Sequence, residues 1–271
     1  MNTGLTHTSL LTNKCAVIFG ASGAVGTAVA KEFAARGATV FLSGRTLSAV
    51  EQVAADIRGE GGTAYAEQVD ALDEQAVNAY LDRVIQQGGS IDILLNVTGP
   101  QAKDYGNATS TLDLPLEQYL LPITTLVPSQ FITARAAARH MVRQQSGVIL
   151  FVTAVPSQGF TDATAIGSAF GAMESLLRCL AMDLGPAGVR VVGLRSGPMI
   201  DTRTIKQTYE NAARMMTMSQ EQVSTGNEKR SILKSSSTTA DTARLAAFLA
   251  SDEARTLTGT ILNASSGRVI D

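Results

Sequence analysis

Short apolar or β-branched runs recur along this chain at 15–19, 38–42, 63–67, 91–95, 147–152, 188–194 and 260–263. Segments with apolar residues at helical spacing lie between them, at 25–36, 47–59, 73–87, 128–144, 168–184 and 240–251. Alternation of this kind predicts βαβ units, hence an α/β fold: a single-domain, Rossmann-type, doubly wound parallel sheet of about seven strands with helices on both faces. Ile91-Asp-Ile-Leu-Leu95 and Val148-Ile-Leu-Phe-Val152 are nearly continuous apolar, as strands covered on both faces require. Residues 1–13 are polar and read as a flexible N-terminal arm, and 14–271 as one domain with no linker that would divide it.

Two stretches interrupt the rhythm. Residues 98–127 carry Gly99-Pro100, Gly106, Pro115 and Pro122 and read as a long loop. Residues 197–238 hold Gly197-Pro198, an amphipathic piece with Met215, Met216 and Met218, and a Ser/Thr-rich run. Both follow strands, and ligands of doubly wound sheets bind beyond the strand carboxyl ends. The second stretch is therefore read as a substrate-side lid insertion.

The turn Phe19-Gly20-Ala-Ser22-Gly23-Ala-Val25-Gly26 ends a strand and opens a helix. A helix N-terminus presents unpaired N–H groups and the positive end of its dipole, so a pyrophosphate can sit there if no side chain blocks it. The context makes this glycine motif more than a bare pattern match. The second strand ends in Ser43-Gly44-Arg45-Thr46 without the acid that would accept from a ribose 2′-hydroxyl. Arg45 can pair with a 2′-phosphate, with Ser43 and Thr46 as further donors, which favours NADP(H) over NAD(H).

Composition narrows the rest. The 271 residues are 45% hydrophobic, enough for one large core, and the net charge of −2 supplies no general attraction to nucleic acid or an anionic membrane. With no Trp and 5% aromatics there is little for base stacking. The low-charge stretch between Lys14 and Lys31 is too short and too rich in Gly and Ser to span a bilayer. Cys15 and Cys179 sit in apolar patterns and read as reduced core residues of a cytoplasmic protein. His7 and His140, with no clustered cysteines, argue against a metal site.

Over nearly its whole length the chain resembles the short-chain dehydrogenase/reductase family. The glycine turn resembles that family's Thr-Gly-x-x-x-Gly-x-Gly, with Phe19 and Ala24 in place of the threonine and middle glycine. Asp70, beside Ala71, matches the acidic residue placed near the adenine ring. Asn96-Val97-Thr98-Gly99 resembles the Asn-Asn-Ala-Gly motif, and Ser196-Gly197-Pro198 the Pro-Gly beside the nicotinamide. The resemblance implies that Thr202 touches a cofactor phosphate, and that the chain acts on a small molecule as a homo-oligomer, a dimer or tetramer. Helices 131–143 and 168–184 carry the small residues that close helix pairing needs.

The family's proton chemistry rests on Ser, Tyr and Lys. Here those positions align with Ala154, Ile166 and Phe170, and the supporting asparagine falls near Leu126. None can titrate. Thr153 and Arg195 are the candidate replacements: Thr153 to bond a substrate oxygen, Arg195 to hold an anion or an enolate. Tyr105 and Asp162 are weaker candidates, read as surface and as a cap or turn, and His140 as structural. The resemblance thus implies an NADP(H)-dependent oxidoreductase with an atypical site, acting on a small carbonyl or activated C=C substrate. The alternative is a non-catalytic NADP(H)-binding relative, a sensor, ligand carrier or partner subunit. A non-redox enzyme on this scaffold has no specific support.

Overall fold

The computed structural model describes residues 9–271. Its strands are β1 Cys15–Phe19, β2 Thr39–Gly44, β3 Thr63–Gln68, β4 Ile93–Asn96, β5 Gly147–Ala154, β6 Val189–Ser196 and β7 Ile261–Ala264. The helices are α1 Ala24–Ala35, α2 Leu47–Gly59, α3 Glu74–Gly88, α4 Leu116–Gln144, α5 Thr164–Leu184, α6 Arg203–Met216, α7 Gln220–Lys229 and α8 Thr239–Ala250. All seven strands pair in parallel in the order β3-β2-β1-β4-β5-β6-β7. The predicted Rossmann-type sheet is therefore present, each strand within about two residues of its expected bounds. The order reverses between β1 and β4, so their connections leave on opposite faces and open a crevice at the carboxyl ends.

Period-two alternation divides each strand between two cores. Val17 and Phe19 of β1 join Tyr80 and Leu81 of α3, Ala137 and Met141 of α4, and Met173 and Leu177 of α5. Ala16 and Ile18 face the other way, onto Phe33 of α1, Ile57 of α2 and Leu249 of α8. Phe19 meets Tyr80 edge-on at 5.6 Å between centroids, the geometry that ring quadrupoles favour.

Residues 1–8 of the expected arm lie outside the described residues. From Ser9 the chain is anchored: Leu11 is fully buried and its N–H donates to Arg36 O at 3.0 Å. Burial of one leucine, worth about 1.5–3 kcal/mol, outweighs the polar surroundings from which a loose segment was expected. The long loop expected over 98–127 ends early, because α4 begins at Leu116 and runs through Pro122 and Pro128. Proline removes one helical bond and normally breaks a helix at about 3 kcal/mol. Here α4 is held along its length by α5, α3 and the sheet.

The helix α5 starts at Thr164, earlier than the pattern suggested. By length and composition the stretch Thr164–Ala187 would suffice to cross a membrane. Its apolar side instead packs on α4, β5 and β6. Cys15 is buried, and burial pushes its thiol up to about 12. Cys179 departs from expectation: it lies on the exposed side of α5 with Ala172, Ser175 and Met182, away from the face that buries Met173, Leu177 and Ala181. His140 faces α3, with Nε2 3.5 Å from Asp82 Oδ1.

Candidate nucleotide and substrate crevice

The glycine turn takes its shape from three contacts no side chain would permit. Gly20 has φ +76°, and a Cβ there would stand 2.8 Å from Thr98 N and 2.9 Å from Val97 C. A Cβ on Gly26 would collide with the Gly20 carbonyl oxygen. Gly23 is the N-cap of α1 and brings no side-chain acceptor to the helix start. The N–H groups that open α1 therefore face outward without a cap, and Ser22, Gly23 and Ala24 are exposed around them. Val25 is half-buried in the first turn. The turn is fastened from behind: Gly20 N–H and Ala21 N–H donate to Ser43 O at 2.9 and 3.1 Å, and Thr27 Oγ1 donates to Ala21 O at 2.9 Å.

Beside it lies the end of β2. A Cβ on Gly44 would come 3.7 Å from Ser22 Oγ, so the Ser22 hydroxyl stands against this rim. Arg45 and Thr46 are exposed; among the described residues Arg45 has no carboxylate partner, and the Thr46 hydroxyl caps nothing although Thr46 is the N-cap of α2. Ser43 does not join them. It is fully buried, its hydroxyl has no hydrogen-bond partner among the described residues, and it serves the turn through its carbonyl. Position along the sheet decides this: Ser43 is paired on both sides, with Phe19 and Glu67, whereas Arg45 lies past the end of β2. Val69 N–H donates to Gly44 O at 3.1 Å and brings exposed Asp70 to the same rim, with Ala71 buried beneath it.

On the β4 side Asn96 is 1% exposed and fully bonded. Its Oδ1 accepts from Thr98 N–H and Oγ1 at 2.9 and 2.7 Å, its Nδ2 donates to Thr133 Oγ1 at 3.1 Å, and Gln130 Nε2 donates to its carbonyl at 2.6 Å. The loop Thr98–Gly99 is thereby fixed against Gly20 and α4, and Leu126 packs where a Cβ on Gly99 would lie, 2.9 Å away. At the β6 end Gly197 passes close to Ser265 and Ser237, followed by Pro198. Thr202, the expected phosphate contact, is 6% exposed, donates to Met199 O at 2.7 Å and caps α6 by accepting from Ile205 N–H. The stretch 197–238 folds as the α6–α7 hairpin around Tyr209, Ala213 and Val223. It is tied to the loop after β4 by Asn107 Nδ2, which donates to Thr208 Oγ1 at 2.6 Å.

On the far wall, Ile166 is buried in the first turn of α5, Phe170 is half-buried one turn on, and Ala154 ends β5. Both candidate catalytic residues, Thr153 and Arg195, are engaged by other side chains. Thr153 Oγ1 donates to Glu174 Oε1 at 2.9 Å. Arg195 places Nε 3.0 Å from Glu174 Oε1 and 3.1 Å from Ser157 Oγ, Nη2 2.9 Å from Glu174 Oε2, and Nη1 on Asp271 Oδ1. Burial opposes ionisation of Glu174, but the bonds from Arg195, Ser157 and Thr153 outweigh it and hold the carboxyl below its ordinary value. The Glu174 carboxylate in turn raises Arg195, with Asp271 adding to it. Glu174 was missed at the sequence level. Its signal was a carboxylate at i+4 from Phe170 and i+8 from Ile166 in an apolar helix, with an arginine inside an apolar strand; two such charges bury only as a pair.

Tyr105 is also displaced from expectation, buried in the core rather than on the surface, and burial pushes its phenol up to about 12. Asp162 is a turn residue with φ +56°, its carbonyl accepting from Ala108 N–H at 3.0 Å. Among the described residues no cluster of His, Cys, Asp and Glu could hold a metal ion.

A family model described as Enoyl-(Acyl carrier protein) reductase matches residues 20–268. The 7alpha-hydroxysteroid dehydrogenase of Escherichia coli strain K12 is 30% identical over 262 residues, spanning 96% of this chain and 95% of its own. The L-rhamnose 1-dehydrogenase (NAD(P)(+)) of Azotobacter vinelandii is 30% identical over 272 residues, 97% of this chain and 99% of its own. A solved 7α-hydroxysteroid dehydrogenase, complexed with NADH and 7-oxo glycochenodeoxycholic acid, superposes with a TM-score of 0.84 at 28% identity over 97% of each chain. The chain belongs to the short-chain dehydrogenase/reductase family of oxidoreductases.

Proposed function

We propose that this chain is an NADP(H)-dependent oxidoreductase with an atypical catalytic wall, acting on a small carbonyl or activated C=C substrate. The observation that carries the reading is the uncapped glycine turn with Arg45 on the adjoining rim, exposed and, among the described residues, without a carboxylate partner. The fit is physical: a Cβ at Gly20 or Gly26 would fill the cradle, and its open N–H groups suit a pyrophosphate.

Gly20, Ser22, Gly23, Val25 and Gly26 would hold the pyrophosphate, and Arg45 and Thr46 with Ser22 a 2′-phosphate. Asp70 and Ala71 would flank the adenine. Asn96, Thr98, Gly99, Gly197 and Pro198 would border the nicotinamide half. The bound dinucleotide supplies or accepts hydride. Ala154, Ile166 and Phe170 offer no proton, so the wall shapes the substrate and solvent supplies the proton. Carbonyl reduction is harder to support this way than reduction of an activated C=C bond, where charge spreads over an enolate. The α6–α7 hairpin acts as lid to the domain 14–271, and the chain works in the cytoplasm as a dimer or tetramer, with no nucleic acid or membrane partner.

A second reading, a non-catalytic NADP(H)-binding protein, is favoured by one observation: the bonds that occupy Thr153 and Arg195. Calorimetric titration of NADPH and NADH separates the possibilities. NADPH binding that Arg45→Ala weakens by about tenfold or more, the value of a charge-assisted bond, supports both readings. Turnover on a ketone and enone panel then selects the first, and binding without turnover the second. Binding of neither nucleotide overturns both.

A further inference from the structure

The segment after β7 doubles back over the substrate side. Arg268 Nη1 and Nη2 donate to Asn227 O and Oδ1 of α7, both at 2.9 Å, and its guanidinium lies 5.3 Å from the Phe160 ring centroid in the loop after β5. Three residues on, the Asp271 carboxylate meets Arg195 Nη1. Arg195 is 3% exposed, whereas the Asp271 side chain is 48% exposed. Among the described residues that carboxylate has no other partner.

The charges show what Asp271 does there. Glu174 is buried and shared by Arg195 and, at 3.9 Å, by Arg178. Arg195 in turn meets two carboxylates, the buried Glu174 through Nε and Nη2 and the half-exposed Asp271 through Nη1. Without Asp271 the Arg195 Nη1 donor is left aimed at a solvent-reached position. An arginine held in plane by a first carboxylate is preorganised for a second, because its rotamer entropy has already been lost.

We propose that Arg195 Nη1 is a carboxylate-binding subsite, and that Asp271 is a self-supplied occupant which a carboxylate-bearing small-molecule substrate displaces. This gives the substrate of the proposed oxidoreductase an acidic group, and it rests on the reading that the ends of β5 and β6 are the substrate side. Arg268, through Asn227, ties the same displacement to the lid hairpin.

The test is calorimetric titration of the full chain with benzoate, using benzamide as the neutral control. Asp271→Asn keeps the size of a half-exposed side chain, so the fold is retained, and removes the competing charge. Expected is benzoate binding about tenfold tighter in Asp271→Asn than in the unaltered chain, with no gain for benzamide. The gain should vanish when Glu174→Met and Arg195→Met are added together, a change that leaves no buried charge unpaired. Equal benzoate affinity in Asp271→Asn and the unaltered chain, or a gain that survives loss of Arg195, overturns the subsite. NADPH titration of the same samples keeps the cofactor reading separate: NADPH binding without a benzoate gain sinks the subsite alone, and a benzoate gain without NADPH binding sinks the oxidoreductase reading alone.

Discussion

Glu174 and Arg195, each 3% exposed, are joined by two bonds, Nε to Oε1 at 3.0 Å and Nη2 to Oε2 at 2.9 Å. This pair fastens α5 to the end of β6, and the Thr153 bond to the same carboxylate adds the end of β5. The register sets Thr153 opposite Arg195 and Ala154 opposite Ser196. The pair therefore fixes the floor on which Ile166, Phe170 and Ala154 stand.

Removing Arg195 strands the buried Glu174 charge. Arg195→Met should destabilise the protein by about 3–5 kcal/mol, whereas Glu174→Met with Arg195→Met together should be near neutral. Urea unfolding of the two variants checks this. Equal losses in both would show that the pair acts through packing rather than charge.

The same pair gives the acid limb of stability. Because the folded Glu174 carboxyl lies below its ordinary value, its contribution is full above the unfolded pKa of about 4.3 and is lost as pH falls through the folded value. Denaturant unfolding between about pH 6 and pH 3 should show the unaltered chain losing more stability than the Glu174→Met, Arg195→Met variant. Parallel curves would remove Glu174 from the acid response.

Gly26 faces the Gly20 carbonyl with no room for a methyl group. Gly26→Ala should cost about 1–3 kcal/mol of stability, as overpacking does, and should lower NADPH affinity by distorting the first turn of α1. Thermal unfolding and NADPH calorimetry read the two effects. Unchanged NADPH affinity would separate the turn from the nucleotide.

Ile166 and Phe170 share one face of α5 at i and i+4. If they occupy the proton-transfer positions, Ile166→Tyr with Phe170→Lys should raise ketone reduction by about a hundredfold, the lower range for general acid catalysis. The rate should fall as the installed phenol ionises. Steady-state kinetics against pH checks this, and a flat profile with no gain would place the reacting carbon elsewhere.

Periodicity alone specified the βαβ sheet, its parallel strands and the glycine turn, because buried parallel strands and amphipathic helices must repeat apolar residues at fixed spacings. It specified the exposure of Arg45 as well, since a residue just past a strand's end is free of the sheet. Other features depended on contacts between residues far apart in sequence. The period of β2 did not reveal that Ser43 turns inward, nor did the prolines of α4 show that packing would carry the helix through them. Nor did the sequence show that Thr202 would cap the start of α6. Thr153 and Arg195 looked available until α5 brought Glu174 between them, and Asp271 closed on Arg195 from 76 residues away. A side chain's type is written in the sequence, but whether its charge meets a ligand or another side chain is decided by which elements the fold brings within hydrogen-bond reach.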